Sequence, residues 1–286
     1  MKKSMETFSK IFTGLFIFFV LTIGSVQAEA IIIDHTCTDL SQIPSNYIGL
    51  VTNSAKMLYA HTSHGSQITV GMQRVEDSDS FYSVAIHANY LPDESGAVCI
   101  LDPGFFNPQD YFTYGPGRFS TYPSINFSMY SWCNHQNTNS EADTQAYLDG
   151  MEALEAAYSH VTFIYMTGNA QADGSAGYNR YLRNNQIRDY CQAHGKILFD
   201  FADIDSWYNG QQHTYNYQGH DIPLEHPQFN GSQAGHTTYE SCELKASAAW
   251  WMMALLMTGG DPPPDPPEDL HFEDEEIKPP FPHEKS

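Results

Sequence analysis

Four apolar runs, each ending in a polar loop, limit this chain more than any other feature: AKMLYA (55–60), INFSMYSW (125–132), VTFIYMT (161–167) and KILFDFADI (196–204). The third is continuously apolar, β-branched and aromatic, which suits a strand buried on both faces. Between the later runs lie helical patterns. SEADTQAYLDGMEALEAAYSH (140–160) carries Tyr147, Met151, Leu154 and Tyr158 on one face behind a capping Ser140, and NRYLRNNQIRDYCQAHG (179–195) turns Leu182, Ile187, Tyr190 and Cys191 inward and stops at Gly195. Residues 45–54 are near helical spacing, a further helix opens near Gly65, and YESCELKASAAWWMMALLM (239–257) is an apolar closing helix whose Trp250 and Trp251 are packing residues. Strands alternating with helices predict a single-domain, three-layer α/β/α fold with a mostly parallel, flavodoxin-like sheet. In such a sheet the loops HTSHGSQ, WCNHQ, TGNAQ and the segment before the last helix gather on one rim, at the carboxyl ends of the strands.

The ends of the chain read differently. Residues 1–28 have the layout of a secretory signal, with Lys2 and Lys3, an apolar stretch and the small-residue exit SVQA, so cleavage after Ala28 and a secreted or periplasmic destination are expected, with no stable membrane anchor afterwards. Residues 29–258 form the α/β domain, and 259–286 a proline-rich acidic tail with little to bury. Residues 76–124, rich in Asp, Ser, Pro, Gly and aromatics, read as a long surface excursion. A formal net charge of -21 argues against nucleic acid and against anionic lipid, and favours a neutral or cationic substrate; secretion and the aromatic loops suit a small-molecule or carbohydrate ester. Five cysteines leave at least one unpaired, and none has the spacing of a haem, zinc or CxxC redox site; no cofactor is implied.

Taken in order, the polar loops resemble those of the SGNH, or GDSL-like, hydrolases. HTS (61–63) stands where that family has GDS, TGNA (167–170) where it has GxND, and GHTTYESCELKASAAWW (235–251) supplies a histidine before the final helix. The combination HTSHGSQ, SWC, MTG, IRDYC, LFDFADI and KAxAxWW also looks like a bacterial secreted branch of that superfamily. The resemblance implies a serine ester hydrolase, with carbohydrate deacetylation the preferred chemistry. It places Ser63 as nucleophile and His236 as base, with Asn169 and Asn134 as oxyanion donors. Ser63, at a strand-to-helix turn, also offers a backbone N–H near a helix start, where negative charge is favoured. His61, His64 and Cys133 are expected to line the pocket, with Cys133 a buried thiol.

The pattern departs from the family in several places. No Gly-Asp precedes Ser63, Asn134 occupies the place of a glycine, and Gln233 replaces the aspartate expected three residues before the histidine. Ser66 competes as a helix cap and His226 as the base, while the acid is open among Asp203, Asp205, Asp221 and Glu225. Two alternatives stand beside the esterase: a non-catalytic glycan- or partner-binding protein, with Trp132, Trp207 and the tyrosines of YNGQQHTYNYQGH stacking on sugar rings, and a metal-dependent hydrolase using His61, His64 and His135.

Overall fold

The computed structural model describes residues 29–104 and 107–259. The expected signal peptide (1–28) and all but the first residue of the expected tail lie outside them. Seven strands form one wholly parallel sheet: β1 (Ile31–Ile33), β2 (Lys56–His61), β3 (Val84–His87), β4 (Val98–Leu101), β5 (Phe127–Ser131), β6 (Thr162–Met166) and β7 (Ile197–Phe199), in the spatial order β1-β7-β6-β5-β2-β4-β3. The run β4-β2-β5-β6-β7 has the doubly wound order expected of a flavodoxin-like sheet, with β3 and β1 added at its edges. Every residue of β4 and β5 is buried. Strands this apolar need helices on both faces.

The helices supply them. On one side α1 (Ser45–Ser54), α2 (Ser66–Ser78) and α7 (Tyr239–Met257) pack together; α3 (Pro108–Thr121), α4 (Glu141–Ala157) and α5 (Gly174–His194) form the second group. A short α6 (Phe201–Ser206) follows β7. Ser140 caps α4 in a reciprocal capping box with Asp143, and Gly195 ends α5 with a left-handed φ of 61°. The contact between α2 and α7 is unusually close. A Cβ on Gly71 would stand 2.0 Å from the Cys242 carbonyl oxygen, so only glycine lets the two backbones meet there.

Three expectations are corrected. Residues 76–124 contain β3, β4 and α3, which complete one side of the sheet. The strands are hidden by their shortness, four residues each between turn-forming stretches, and α3 by Gly115, Pro116 and Gly117 inside it. Leu182 lies on the outer side of α5, 36% exposed, whereas Ile187 and Cys191 are fully buried. The polar segment between α6 and α7, read as one of the rim loops, holds a hairpin (Thr214–Tyr217 with His220–Pro223). Among the described residues no helix is long and apolar enough to cross a membrane.

Candidate active site

The chain reverses its winding direction between β2 and β5, which are adjacent in the sheet, and the crevice beyond their carboxyl ends is where doubly wound folds place ligands. β2 delivers the turn Ser63–Gly65 directly into α2. That turn sits tightly on the sheet, since a Cβ on Gly65 would lie 2.3 Å from the His61 Cβ. β5 delivers Cys133, β6 delivers Asn169 and Gln171, and the turn before α7 delivers His236. The four loops predicted to meet do so.

Ser63 and His236 are joined by a hydrogen bond between Oγ and Nε2 at 3.1 Å, across 173 residues of sequence. Ser63 is half-buried and His236 exposed. The histidine occupies a left-handed turn, with φ 52° at Gly235 and 73° at His236. Gln67 pins that turn by donating from Nε2 to the Gly235 carbonyl at 2.6 Å. A non-glycine residue held at positive φ carries backbone strain. Partial burial and the neighbouring charge of His64 lower the pKa of His236 below 6.5, leaving it neutral and able to accept a proton near pH 7.

Of the acids considered for orienting this base, none pairs with it. Asp203 binds His35 (2.5 Å), Asp205 forms a fully buried ion pair with Lys245 (2.6 Å), and Asp221 accepts from Asn216. Glu225 accepts from Gln171 and Thr237, and burial together with the charge of Asp205 raises its pKa to about 7. Gln233, three residues before His236, accepts the Tyr239 N–H at the start of α7. His226 turns away to accept from the Gln228 N–H, beside Tyr208 and Phe229, and Ser66 donates to the Ser63 carbonyl.

The second arm of the cleft is a set of contacts that sequence reasoning missed. His64 lies 4.7 Å from His236, ring centroid to ring centroid. Its Nδ1 is 3.0 Å from Cys133 Sγ and its Nε2 2.7 Å from Gln171 Oε1; Ser63 Oγ is 3.2 Å from the same sulfur. Burial alone would push the Cys133 thiol up, but the hydrogen bonds it shares with His64 and Ser63 and the charge of His64 outweigh it and bring the thiol to about 6. His64 is raised in turn: burial disfavours its charge, and the bonds to Cys133 and Gln171 overcome that. Cys133 is therefore half-buried and polarised, not the buried thiol expected. A histidine three residues after a strand and a cysteine at the end of its neighbour are the signal that was present in the sequence.

Other expected residues are placed differently. His61 is buried and faces Asp102, with Nε2 2.8 Å from Oδ1, instead of lining the pocket; the tight Ser63–Gly65 turn shuts it beneath. Asn169 is almost fully buried and spends its amide inside the protein, on the Cys133 carbonyl (3.0 Å) and Asn134 Oδ1 (3.4 Å). It braces the Cys133–Asn134 turn and does not project into the cleft, whereas Asn134 is exposed. Trp132 is buried, its indole donating to the Met166 carbonyl, so it offers no face to a sugar. The three histidines considered for a metal face different partners: Asp102, the Cys133–Gln171 pair, and Trp132 for His135. Asp34, His35 and Asp203 do converge, but His35 and Asp203 bond each other and His35 stacks on Trp207 at 4.1 Å.

What fold and site define is a doubly wound α/β protein with a serine-bearing and a cysteine-bearing turn at its switch point. No family model and no curated protein matches the chain. Among solved structures, a protein of the G-D-S-L family from Desulfitobacterium hafniense DCB-2, assigned there as lipolytic, aligns at 10% identity over 68% of this chain and 97% of its own, with a TM-score of 0.45. TubZ of Clostridium botulinum phage c-st aligns at 12% identity over 52% of each chain, with a TM-score of 0.30.

Proposed function

We propose that the chain hydrolyses an acyl ester through Ser63, with His236 as general base. The observation that carries this reading is the 3.1 Å bond from Ser63 Oγ to His236 Nε2 at the rim of the sheet. The hydroxyl attacks the acyl carbon and His236 Nε2 takes its proton, passes it to the departing alcohol, and then draws a proton from the water that releases the acid. The N–H groups opening the Ser63–Gly65 turn and the exposed amide of Asn134 are the donors for the oxyanion, and Asn169 holds that turn in place. The substrate class that fits the acidic composition and the tyrosine-bearing hairpin is an acetylated carbohydrate, met outside the cytoplasm after removal of residues 1–28.

Ser63→Ala should lower hydrolysis of a small unactivated alkyl acetate or butyrate by roughly 10³-fold or more, and wild type should be labelled at Ser63 by a fluorophosphonate. Full activity in the variant would remove Ser63 from the mechanism. The lack of a carboxylate at His236 favours the rival reading of a non-catalytic glycan binder; an unlabelled serine with saturable binding of acetylated oligosaccharide would establish that rival.

A further inference from the structure

Cys133 differs from the four other cysteines, Cys37, Cys99, Cys191 and Cys242. All five are free, but those four are buried, at 7% exposure or less. Burial raises Cys37, Cys191 and Cys242 in pKa. Cys133 sits where β5 ends, half-exposed in the cleft, and the groups around it have a definite polarity.

That polarity follows from Gln171. Its Nε2 donates to Glu225 Oε1 (3.0 Å) and to the His236 carbonyl (2.7 Å), both of them acceptors, which fixes the amide and leaves Oε1 to face His64. An amide oxygen only accepts, so His64 carries a proton on Nε2, and its Nδ1 is left to exchange a proton with Cys133 Sγ. Sulfur, imidazole and amide therefore form an ordered chain of nucleophile, base and orienting group at 3.0 and 2.7 Å. Among the described residues the Ser63–His236 pair has no such third member.

We propose that Cys133, His64 and Gln171 are a second nucleophilic centre of this cleft, which takes an acyl group from an activated donor, a thioester or aryl ester, onto sulfur. It shares the crevice with the Ser63 reading and does not depend on it. The thiolate forms a C–S bond to the acyl carbon. Collapse of the adduct breaks the bond to the leaving thiolate or aryloxide, which takes the proton from His64 Nδ1. Water then attacks the enzyme thioester, giving its proton to the neutral Nδ1; the carboxylic acid leaves and the thiolate–imidazolium pair is restored. The groups facing this pair are the Ser63 hydroxyl, the ring of His236 and, behind Gln171, Glu225 and the Asp205–Lys245 pair.

The test uses the full chain and Ser63→Ala with p-nitrophenyl acetate, quenched and read by peptide mass spectrometry. The expected result is an acetyl group on the Cys133 peptide of Ser63→Ala, released by neutral hydroxylamine as a thioester is, and absent from Cys133→Ser. Iodoacetamide should modify Cys133 with a half-maximal rate near pH 6, the range set by its neighbours. His64→Gln and Gln171→Ala should both move that midpoint up toward the ordinary thiol range, about 8.5, which a purely structural role for Gln171 would not do. An acetyl label confined to Ser63 and missing from Ser63→Ala, or a wild-type alkylation midpoint in the ordinary range, overturns the proposal. Fluorophosphonate labelling scores Ser63 separately, so either nucleophile can fail alone.

Discussion

His64 and His236 face each other across 4.7 Å, yet the fold holds them in opposite ways. His64 is buried, engaged at both ring nitrogens and raised in pKa; His236 is exposed, engaged at one nitrogen on a strained turn, and lowered. Two imidazoles so near cannot both carry charge cheaply, and each biases the other toward a different task. The inner one is suited to keeping a proton beside a thiolate, the outer one to accepting a proton from a hydroxyl.

The largest expected effect comes from removing the outer ring. His236→Ala should lower Ser63-dependent ester hydrolysis by roughly 10²–10⁴-fold in kcat/KM. Cys133 alkylation should keep its midpoint near pH 6, set by the inner ring. The inner arm rests on a buried ionic scaffold, in which Asp205 pairs with Lys245 and also accepts the Ala170 N–H at 2.9 Å, one residue before Gln171. Lys245→Met strands that carboxylate and should reduce stability by about 3–5 kcal/mol in denaturant unfolding.

A pH profile sharpens the contrast further. His236 acts as a base only when neutral, so hydrolysis should fall as pH drops through its pKa, which lies below 6.5. His64→Ala removes the neighbouring charge that lowers His236 and should move that acid limb to higher pH. The smallest effect concerns the strained turn: at φ 73° an L side chain is disfavoured by about 1–2 kcal/mol. His236→Gly should accordingly be more stable than His236→Ala by about 1 kcal/mol, measured by thermal unfolding.

The sequence made the rim of this molecule legible because a strand-ending loop is marked locally, by an apolar run meeting small polar residues. Ser63, Cys133, Asn134 and Asn169 stand in such loops, whereas His236 is picked out by the resemblance as the histidine before the closing helix; all five lie on converging loops. Their partners were not readable. Whether the Asn169 amide points into the cleft or onto the Cys133 carbonyl depends on how two loops from neighbouring strands close, and no periodicity encodes that. The same holds for Gln171, whose meaning comes from His64, Glu225 and the His236 carbonyl together. β1 was missed for a simpler reason: three residues at a sheet edge are too few to establish an alternation, and their pairing with β7 is fixed by packing far along the chain.

Gly71 is not part of the cleft, yet it bears on one separation inside it, that of Ser63 from His236. The Ser63 turn leads into α2 and the His236 turn leads into α7, each within three residues, and at position 71 those two helices touch backbone to backbone. They behave as the handles of pliers riveted at that glycine, with serine and histidine at the jaws. A single added methyl would spread the handles, so the gap between hydroxyl and imidazole is set by a residue that touches neither.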